Sequence, residues 1–201
     1  MTGFLQVNLN KMINEIGEDE TKRILSTFSC QNRDVEYFIK QKAIEFSKQG
    51  LAKTHLVFAS YKKDPVLVGY FTLANKYFVL TKSSLTKTAR KRIVKFGQYN
   101  SALERYIIPA PLIGQLGKNY TNNYNTLITG DELLKMALDK LAFFQQEIGG
   151  KIVYLECEDN EKLIRFYAGN GFVTFGKRNL DRDETDKFNG EYLVQLLKYM
   201  N

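Results

Sequence analysis

The sequence has few of the residues that metal and thiol chemistry require. Among 201 residues it has two cysteines, Cys30 and Cys157, and a single histidine, His55, and it contains no CxxC pair. Structural zinc sites and Cys–His nucleophilic pairs are built from clusters of these residue types. We therefore expect no metal site and no cysteine-based catalytic pair.

Long apolar runs are scarce as well. The chain has three prolines and 14 glycines, and no stretch approaches the ~18 apolar residues of a membrane span. The first residues show no charged segment followed by an apolar one, which is the pattern of a secretory signal. We expect one globular domain over residues 1–201 that is cytoplasmic and does not enter a membrane.

Acidic residues are missing from one long segment. Residues 65–103 contain no Asp or Glu, although the whole chain has a net charge of +7. The basic residues of this segment are Lys76, Lys82, Lys87, Arg90, Lys91, Arg92 and Lys95. Such a surface attracts the phosphates of a cofactor, a nucleotide or an RNA backbone, and it is equally typical of a solvated helix. Charge alone does not choose between these interpretations.

The spacing of apolar residues predicts a strand-rich α/β fold. It indicates a helical portion over residues 1–50, with Asp34 as a helix cap, and a basic helical insert at about 82–97. The other predicted helices cover 129–148 and a short segment capped by Asp159 or Asn160. The predicted strands cover residues 55–61, 66–74, 112–118, 152–157, 172–176 and 192–200.

One segment carries the most specific pattern. In residues 152–172 a buried strand ends near Asn160, Tyr167 follows seven residues later inside a Phe-Tyr pair, and Gly171-Phe172 opens the next strand. This pattern resembles the second acyl-CoA-binding motif of the GNAT acetyltransferase superfamily. The general alternative is any strand–helix–strand unit, which would not require this combined spacing.

Upstream segments extend the resemblance to about residues 28–176. Residues 112–118 resemble the fourth strand of the family, and residues 28–39 with 68–74 are similar to the N-terminal half of its toxin-like bacterial subgroup. The resemblance implies an α/β (α+β) fold with a mixed, mostly antiparallel central sheet. This sheet would have about six or seven strands, be flanked by helices and be splayed at the acyl-CoA site.

The pyrophosphate loop is where the chain departs from the family pattern. That pattern, Gln/Arg-x-x-Gly-x-Gly/Ala, opens a helix whose amides bind the pyrophosphate of CoA. Gly130 matches the final position and Asn125 stands in for Gln, whereas Ile128 replaces the middle glycine. The Ile128 side chain either blocks the approach of a phosphate or is tolerated by backbone with negative φ. Binding of acetyl-CoA is accordingly either retained or lost.

The resemblance implies direct transfer of an acetyl group from acetyl-CoA to a primary amine, with no metal. It makes Tyr167 the acid that protonates the leaving thiolate, unless this residue is only a packed helix tyrosine. The proton acceptor is not identified, and its candidates are Glu104, Glu156 and Glu158. The implied cofactor-binding residues are Leu116, Gly117, Lys118, Asn125, Leu127, Ile128, Thr129, Gly130 and Asn160.

Two classes of function remain open. The first is an N-acetyltransferase whose amine acceptor is RNA-linked, such as aminoacyl-tRNA, with Arg90, Lys91 and Arg92 binding the acceptor. The second is a non-catalytic module on the same scaffold that recognises nucleic acid or a protein. For the enzyme the expected partners are acetyl-CoA and an acceptor of unknown identity with tRNA as one candidate, and a homodimer is one candidate assembly.

Overall fold

The computed structural model describes residues 3–81, 83–180 and 191–200. The chain divides into two compact units. The N-terminal unit combines the residues up to Ala74 with Gly114–Asp139, and the C-terminal unit combines Asn75–Ile113 with the residues from Lys140 onward. The prediction of a single domain over residues 1–201 stays a prediction.

The N-terminal unit begins with a strand that the sequence pattern missed. The strand β1 covers Leu5–Asn8, so the expectation that residues 1–50 are helical is wrong at this point. The strand β1 is only four residues long, with its first two residues exposed and its last two half-buried, so it lacks the alternation that identifies a half-buried strand. Its pairing with residues 55–58 stabilises it, and this partner lies far away in the sequence.

Helices fill the rest of the first fifty residues. They are α1 (Leu9–Ile16), α2 (Glu18–Ser26), α3 (Arg33–Tyr37) and α4 (Ala43–Lys48), with a π-helical segment at Phe38–Lys42. Asn32 caps α3, since its side-chain oxygen accepts from the amides of Asp34 at 3.0 Å and Val35 at 3.1 Å. The predicted cap, Asp34, is wrong, because the helix already begins one residue before it.

The next two strands form a hairpin, as predicted. They are β2 (Lys53–Tyr61) and β3 (Asp64–Leu80), and the turn between them consists of Lys62 and Lys63. Both turn residues have positive φ, 52° and 75°. His55 pairs with Phe71 across the strands, and their rings stack with centroids 5.0 Å apart. This contact agrees with an ordinary strand histidine.

The remaining helices and strands, from residue 87 onward, are distributed over both units. The helix α5 covers Lys87–Ile93, followed by β4 (Gln98–Asn100), β5 (Arg105–Lys118) and α6 (Gly130–Ile148). A 3-10 segment at Thr121–Leu127 precedes α6. The last elements are β6 (Ile152–Glu158), α7 (Glu161–Gly169), β7 (Val173–Asn179) and β8 (Tyr192–Tyr199).

The described strands form one eight-stranded sheet. Its order is β1, β2, β3, β5, β6, β8 and β7, with β4 paired to β5 beside this path. The pairing of β5 with β6 is parallel, whereas β1–β2, β2–β3, β4–β5, β6–β8 and β7–β8 are antiparallel. The mixed, mostly antiparallel sheet is confirmed, and β1 and β4 raise the strand number above the predicted six or seven.

Each unit has a core of its own. The larger buried side chains of the N-terminal core are Leu9, Leu25, Phe28, Ile39, Leu56 and Tyr70. Those of the C-terminal core are Phe78, Leu80, Ile108, Tyr154, Phe175 and Leu197. Among the described residues no helix has the length and apolar character needed to cross a membrane.

Candidate functional site

The end of β5 presents the main chain of Leu116, Gly117 and Lys118, three of the implied cofactor-binding residues. The parallel pairing of β5 with β6 covers Leu112–Tyr154 and Ile113–Leu155, and β5 continues beyond these pairs to Lys118. A β-carbon at Gly117 would lie 2.4 Å from Cγ1 of Val35. Since real β-carbons do not come so close, α3 packs directly on the backbone of β5 here.

Asn119, which the sequence reasoning missed, fixes the chain after β5. It is 1% exposed, its amide donates to the Val68 carbonyl at 2.8 Å, and its side chain donates to the Leu67 carbonyl at 2.8 Å. Its side-chain oxygen accepts from the amides of Ser29 and Thr121. A buried amide with all these partners rigidly positions the strand end. The only signal in the sequence was its place after an apolar strand.

Lys118 connects the strand end with the loop before α6. Its ammonium group donates to the carbonyls of Asn125 at 3.0 Å and Ile128 at 3.3 Å. Three residues of the predicted cofactor site therefore meet in the N-terminal unit. The contact also places a positive charge in the loop where the pyrophosphate was expected, which favours an anion there.

Ile128 does not obstruct this loop. Its side chain is 2% exposed and belongs to the buried apolar residues. Its backbone is extended, with φ −143° and ψ 140°, so the residue needs no glycine-like conformation. Because it is buried, the Ile128 side chain does not project from the surface of the loop.

The start of α6 is held by a reciprocal cap. The Thr129 amide donates to the Glu132 carboxylate at 2.8 Å, and the Glu132 amide donates to the Thr129 hydroxyl oxygen at 3.1 Å. Hydrogen bonds from Thr129 lower the pKa of Glu132, so this carboxylate is ionised at neutral pH. Gly130 follows the cap as the first helical residue.

The helix start thus fits a pyrophosphate only in part. The Lys118 ammonium and the helix dipole favour an anion, and the main chain at Gly130 can approach one closely. The carboxylates of Asp131 and Glu132, in the first turn, oppose one. A ligand phosphate has to compete with Glu132 for the Thr129 amide.

Tyr167 lies on α7 in the C-terminal unit. It is 9% exposed, and its ring lies at 5.8 Å from that of Phe172 in an edge-to-face arrangement. Burial raises the pKa of the Tyr167 hydroxyl well above its usual value, with a smaller contribution from Cys157. The phenol therefore keeps its proton at neutral pH, as an exposed tyrosine also does, and its raised pKa makes it a weaker acid than an exposed tyrosine.

Asn160 and Glu156 have structural partners in the C-terminal unit. The Asn160 side-chain oxygen caps α7 by accepting from the amides of Lys162 at 2.9 Å and Leu163 at 3.4 Å, so the predicted cap is confirmed. Glu156 accepts from Arg178 at 2.7 Å and from Gln195 at 2.8 Å. Both carboxylate oxygens of Glu156 are therefore engaged by neighbouring side chains.

The predicted basic insert forms α5 and the turn after it. Arg92 lies over the ring of Tyr199, with its guanidinium carbon 4.1 Å from the ring centroid. Three exposed lysines follow one another at four-residue spacing: Lys87, Lys91 and Lys95. Arg92 is thus engaged in packing, whereas Lys91 belongs to a row of charges. Lys82 lies outside the described residues.

Metal ligands are not clustered in the described residues. No group of three or more His, Cys, Asp or Glu side chains there could hold a metal ion. Cys157 is buried and Cys30 partly exposed, and burial raises the pKa of both thiols. Thiols with raised pKa values are poor nucleophiles at neutral pH.

No protein-family model and no curated protein sequence matches the chain, but solved structures are similar along almost all of it. A tyrosine-to-phenylalanine variant of KacT is 17% identical, with 96% of this chain and 94% of that chain covered and a TM-score of 0.63. AtaT complexed with acetyl-methionyl-tRNAfMet is 17% identical, with the same coverage and a TM-score of 0.62. AtaTR bound with acetyl-CoA is 15% identical over 95% of this chain and 91% of that chain, with a TM-score of 0.56.

The chain has the α/β fold of the KacT and AtaT structures. This confirms the fold that the motif at residues 152–172 predicted. At 15–17% identity the likeness establishes the fold, and the chemistry of the candidate site depends on the residues described above.

Proposed function

We propose that the protein is an N-acetyltransferase that transfers the acetyl group of acetyl-CoA directly to a primary amine. The observation that carries this proposal is the likeness to AtaTR bound with acetyl-CoA, which extends over 95% of the chain. The main chain of Leu116, Gly117 and Lys118 at the end of β5 supports it. A buried, protonated Tyr167 at the position of the family's acid supports it further.

The roles follow from these groups. The β5 backbone holds pantetheine and polarises the thioester carbonyl, while the amides of the loop at Leu127, Ile128, Thr129 and Gly130, with Asn125, meet the pyrophosphate. The amine nitrogen attacks the acetyl carbon, the C–S bond breaks, and Tyr167 gives its proton to the thiolate. The amine loses one proton to solvent, and solvent returns one proton to the Tyr167 phenolate. Asn160 acts by capping the helix that carries Tyr167.

For the acceptor we propose an amine linked to RNA, such as an aminoacyl-tRNA. The basic residues of α5, including Arg90 and Lys91, supply a surface for a phosphate backbone. AtaT has been solved with acetyl-methionyl-tRNAfMet, which is consistent with an aminoacyl ester of RNA as acceptor. We further propose that the protein is a homodimer and that it is cytoplasmic. Sedimentation of the purified protein tests the homodimer.

A second function is favoured by the cap at α6. The carboxylates of Asp131 and Glu132 lie in the first turn, where a pyrophosphate would have to bind. A scaffold that no longer binds acetyl-CoA would act as a binding module. KacTA has been solved in complex with DNA, so a protein of this fold also occurs in a nucleic-acid complex.

Calorimetric titration with acetyl-CoA separates the two functions. The enzyme gives a saturable signal, and acetyl-CoA at 100 times its Kd stabilises the fold by about 2.7 kcal/mol. The control ligand is acetyl-pantetheine, which lacks the pyrophosphate and should therefore bind more weakly than acetyl-CoA. If acetyl-CoA gives no binding signal in the titration, the result supports the non-catalytic binding module. Transfer of labelled acetyl to methionyl-tRNA, with free methionine as control, then tests the acceptor.

A further inference from the structure

We propose that Tyr99 and Tyr106, on the β4–β5 hairpin, form a stacking surface for unpaired bases at the single-stranded end of the RNA acceptor. The inference rests on the proposed function, because it concerns how that RNA is held. It assigns a binding role to two tyrosines that the acetyl-transfer chemistry does not use.

The two rings form one pair on the hairpin. Tyr99 lies directly opposite Tyr106 in the antiparallel register, and their centroids are 5.1 Å apart with planes inclined at 59°. Side chains opposite each other in such a pair project from the same face of the sheet. The tyrosines therefore act as one aromatic unit.

The pair is anchored on one side and exposed on the other. Tyr106 is partly buried and packs against the C-terminal core, whereas Tyr99 is 44% exposed. A ring that is fixed by its neighbour loses little conformational freedom when a ligand stacks on it. The pair thus offers a preformed aromatic surface.

The charge around the pair suits a polyanion. Residues 75–113 contain eight Lys and Arg but a single Glu, so this segment has the net charge of the entire chain. Lys95 is the last lysine of the row, in the turn after α5, and lies four positions before Tyr99 in the sequence. Even if the backbone between them were fully extended, the Cα atoms of Lys95 and Tyr99 would be at most ~14 Å apart. Arg105, the neighbour of Tyr106, is also exposed.

Together these features indicate single-stranded RNA rather than a duplex. Lysines neutralise the phosphate backbone, while aromatic rings stack on bases, and only unpaired bases offer a face for stacking. The bases of a duplex are already stacked on each other. The surface therefore fits the unpaired end that carries the amino acid of an aminoacyl-tRNA.

The test compares Tyr99→Leu with Tyr61→Leu. Tyr61 is a matched control, since it is 38% exposed, lies 5.7 Å from the ring of Tyr124 and has the Lys62 ammonium 5.3 Å from its centroid. The probes are a deacylated tRNA and the same tRNA without its unpaired 3′ nucleotides. Binding is measured between 50 and 200 mM salt, the range over which phosphate contacts are resolved.

We expect Tyr99→Leu to weaken binding of the intact tRNA roughly tenfold at every salt concentration, with the slope unchanged. Tyr99→Phe should bind like the unmodified protein, because stacking needs the ring and not the hydroxyl. The truncated tRNA should not distinguish Tyr99→Leu from the unmodified protein. The triple variant Lys87→Glu, Lys91→Glu, Lys95→Glu should instead reduce the salt slope by about two.

Three results would overturn the inference. One is unchanged affinity of Tyr99→Leu for the intact tRNA. Another is an equal loss with the truncated tRNA or with Tyr61→Leu. The third is a change in sedimentation without a change in RNA binding, which would make the hairpin a protein contact. If the unmodified protein binds neither tRNA, the inference fails, whereas the acetyl-CoA titration still decides the proposed enzyme.

Discussion

In the N-terminal unit most of the groups proposed to act are main-chain atoms, with the Lys118 ammonium beside them, whereas in the C-terminal unit they are side chains. The N-terminal unit presents the backbone of β5 and of the α6 start, and it has twelve Lys and Arg against eleven Asp and Glu. The C-terminal unit contributes the Tyr167 hydroxyl and the basic residues of 75–113. A site made of main-chain atoms can be kept while the side chains around it change. This agrees with a fold that is shared with KacT at 17% identity. A site made of side chains depends on particular residues.

The largest effect is expected from Tyr167→Phe, because one hydroxyl would carry the acid catalysis. The substitution keeps the ring and its contact with Phe172 but removes the proton donor. We expect turnover to fall by about 10²–10⁴-fold, with acetyl-CoA affinity nearly unchanged. Steady-state kinetics with a saturating acceptor and calorimetry with acetyl-CoA measure the two quantities.

Tyr154→Phe is the matched control for this substitution. The Tyr154 hydroxyl donates to the Tyr77 carbonyl at 3.0 Å, so its loss costs stability, about 1 kcal/mol, and not turnover. Full turnover in Tyr167→Phe would leave catalysis to the backbone alone. In that case the contrast between the two units would disappear.

A smaller effect is expected from Gly130→Pro, which tests the backbone site. Gly130 is the first helical residue after the Thr129 cap, and proline is well accommodated there, so α6 should remain folded. The substitution removes one amide donor from the proposed pyrophosphate site. A hydrogen bond to a charged group is worth ~1.5–3 kcal/mol, which predicts a loss of roughly 10–100-fold in acetyl-CoA affinity. Acetyl-pantetheine, measured by the same calorimetry, should bind with unchanged affinity. Equal losses for both ligands would place the pyrophosphate elsewhere.

The smallest effect concerns stability at alkaline pH. Burial raises the pKa of Cys157 to about 11, above the value near 9 of an accessible thiol. Below pH 9 the Cys157 thiol is protonated in both the folded and the unfolded state, so it does not change the free energy of unfolding. Between pH 9 and 11 only the thiol of the unfolded chain loses its proton. The free energy of unfolding should therefore fall across this window by about 1–2 kcal/mol, and Cys157→Ala should remove that fall. Urea unfolding at several pH values measures it, and an identical fall in Cys157→Ala would assign it to other groups.

Local patterns predicted the C-terminal motif well. The strand, helix and strand around Tyr167 follow from a continuous apolar run, an Asn cap and a Gly-Phe start, all of which act within a few residues. The long helix α6 was predicted to within one residue because its apolar stripe is regular. Neither required knowledge of distant parts of the chain.

Contacts between distant residues could not be predicted. Asn119 binds Leu67 across 52 residues, and Arg92 lies over Tyr199, more than a hundred residues away. Both depend on the order of strands in the sheet, which periodicity does not encode. The Glu132 cap was visible as a Thr-x-x-Glu pattern, but its competition with a phosphate emerged only with the geometry of the helix start.

The turn between β2 and β3 has a consequence for how the hairpin forms. Lys62 and Lys63 both have left-handed backbone, a conformation that Asn and Gly adopt easily and that other residues adopt at a cost of about 1 kcal/mol or more each. A turn of this kind does not nucleate its own hairpin. The strands must be drawn together by pairs further along, such as His55 with Phe71, so the hairpin closes from its open end toward its turn.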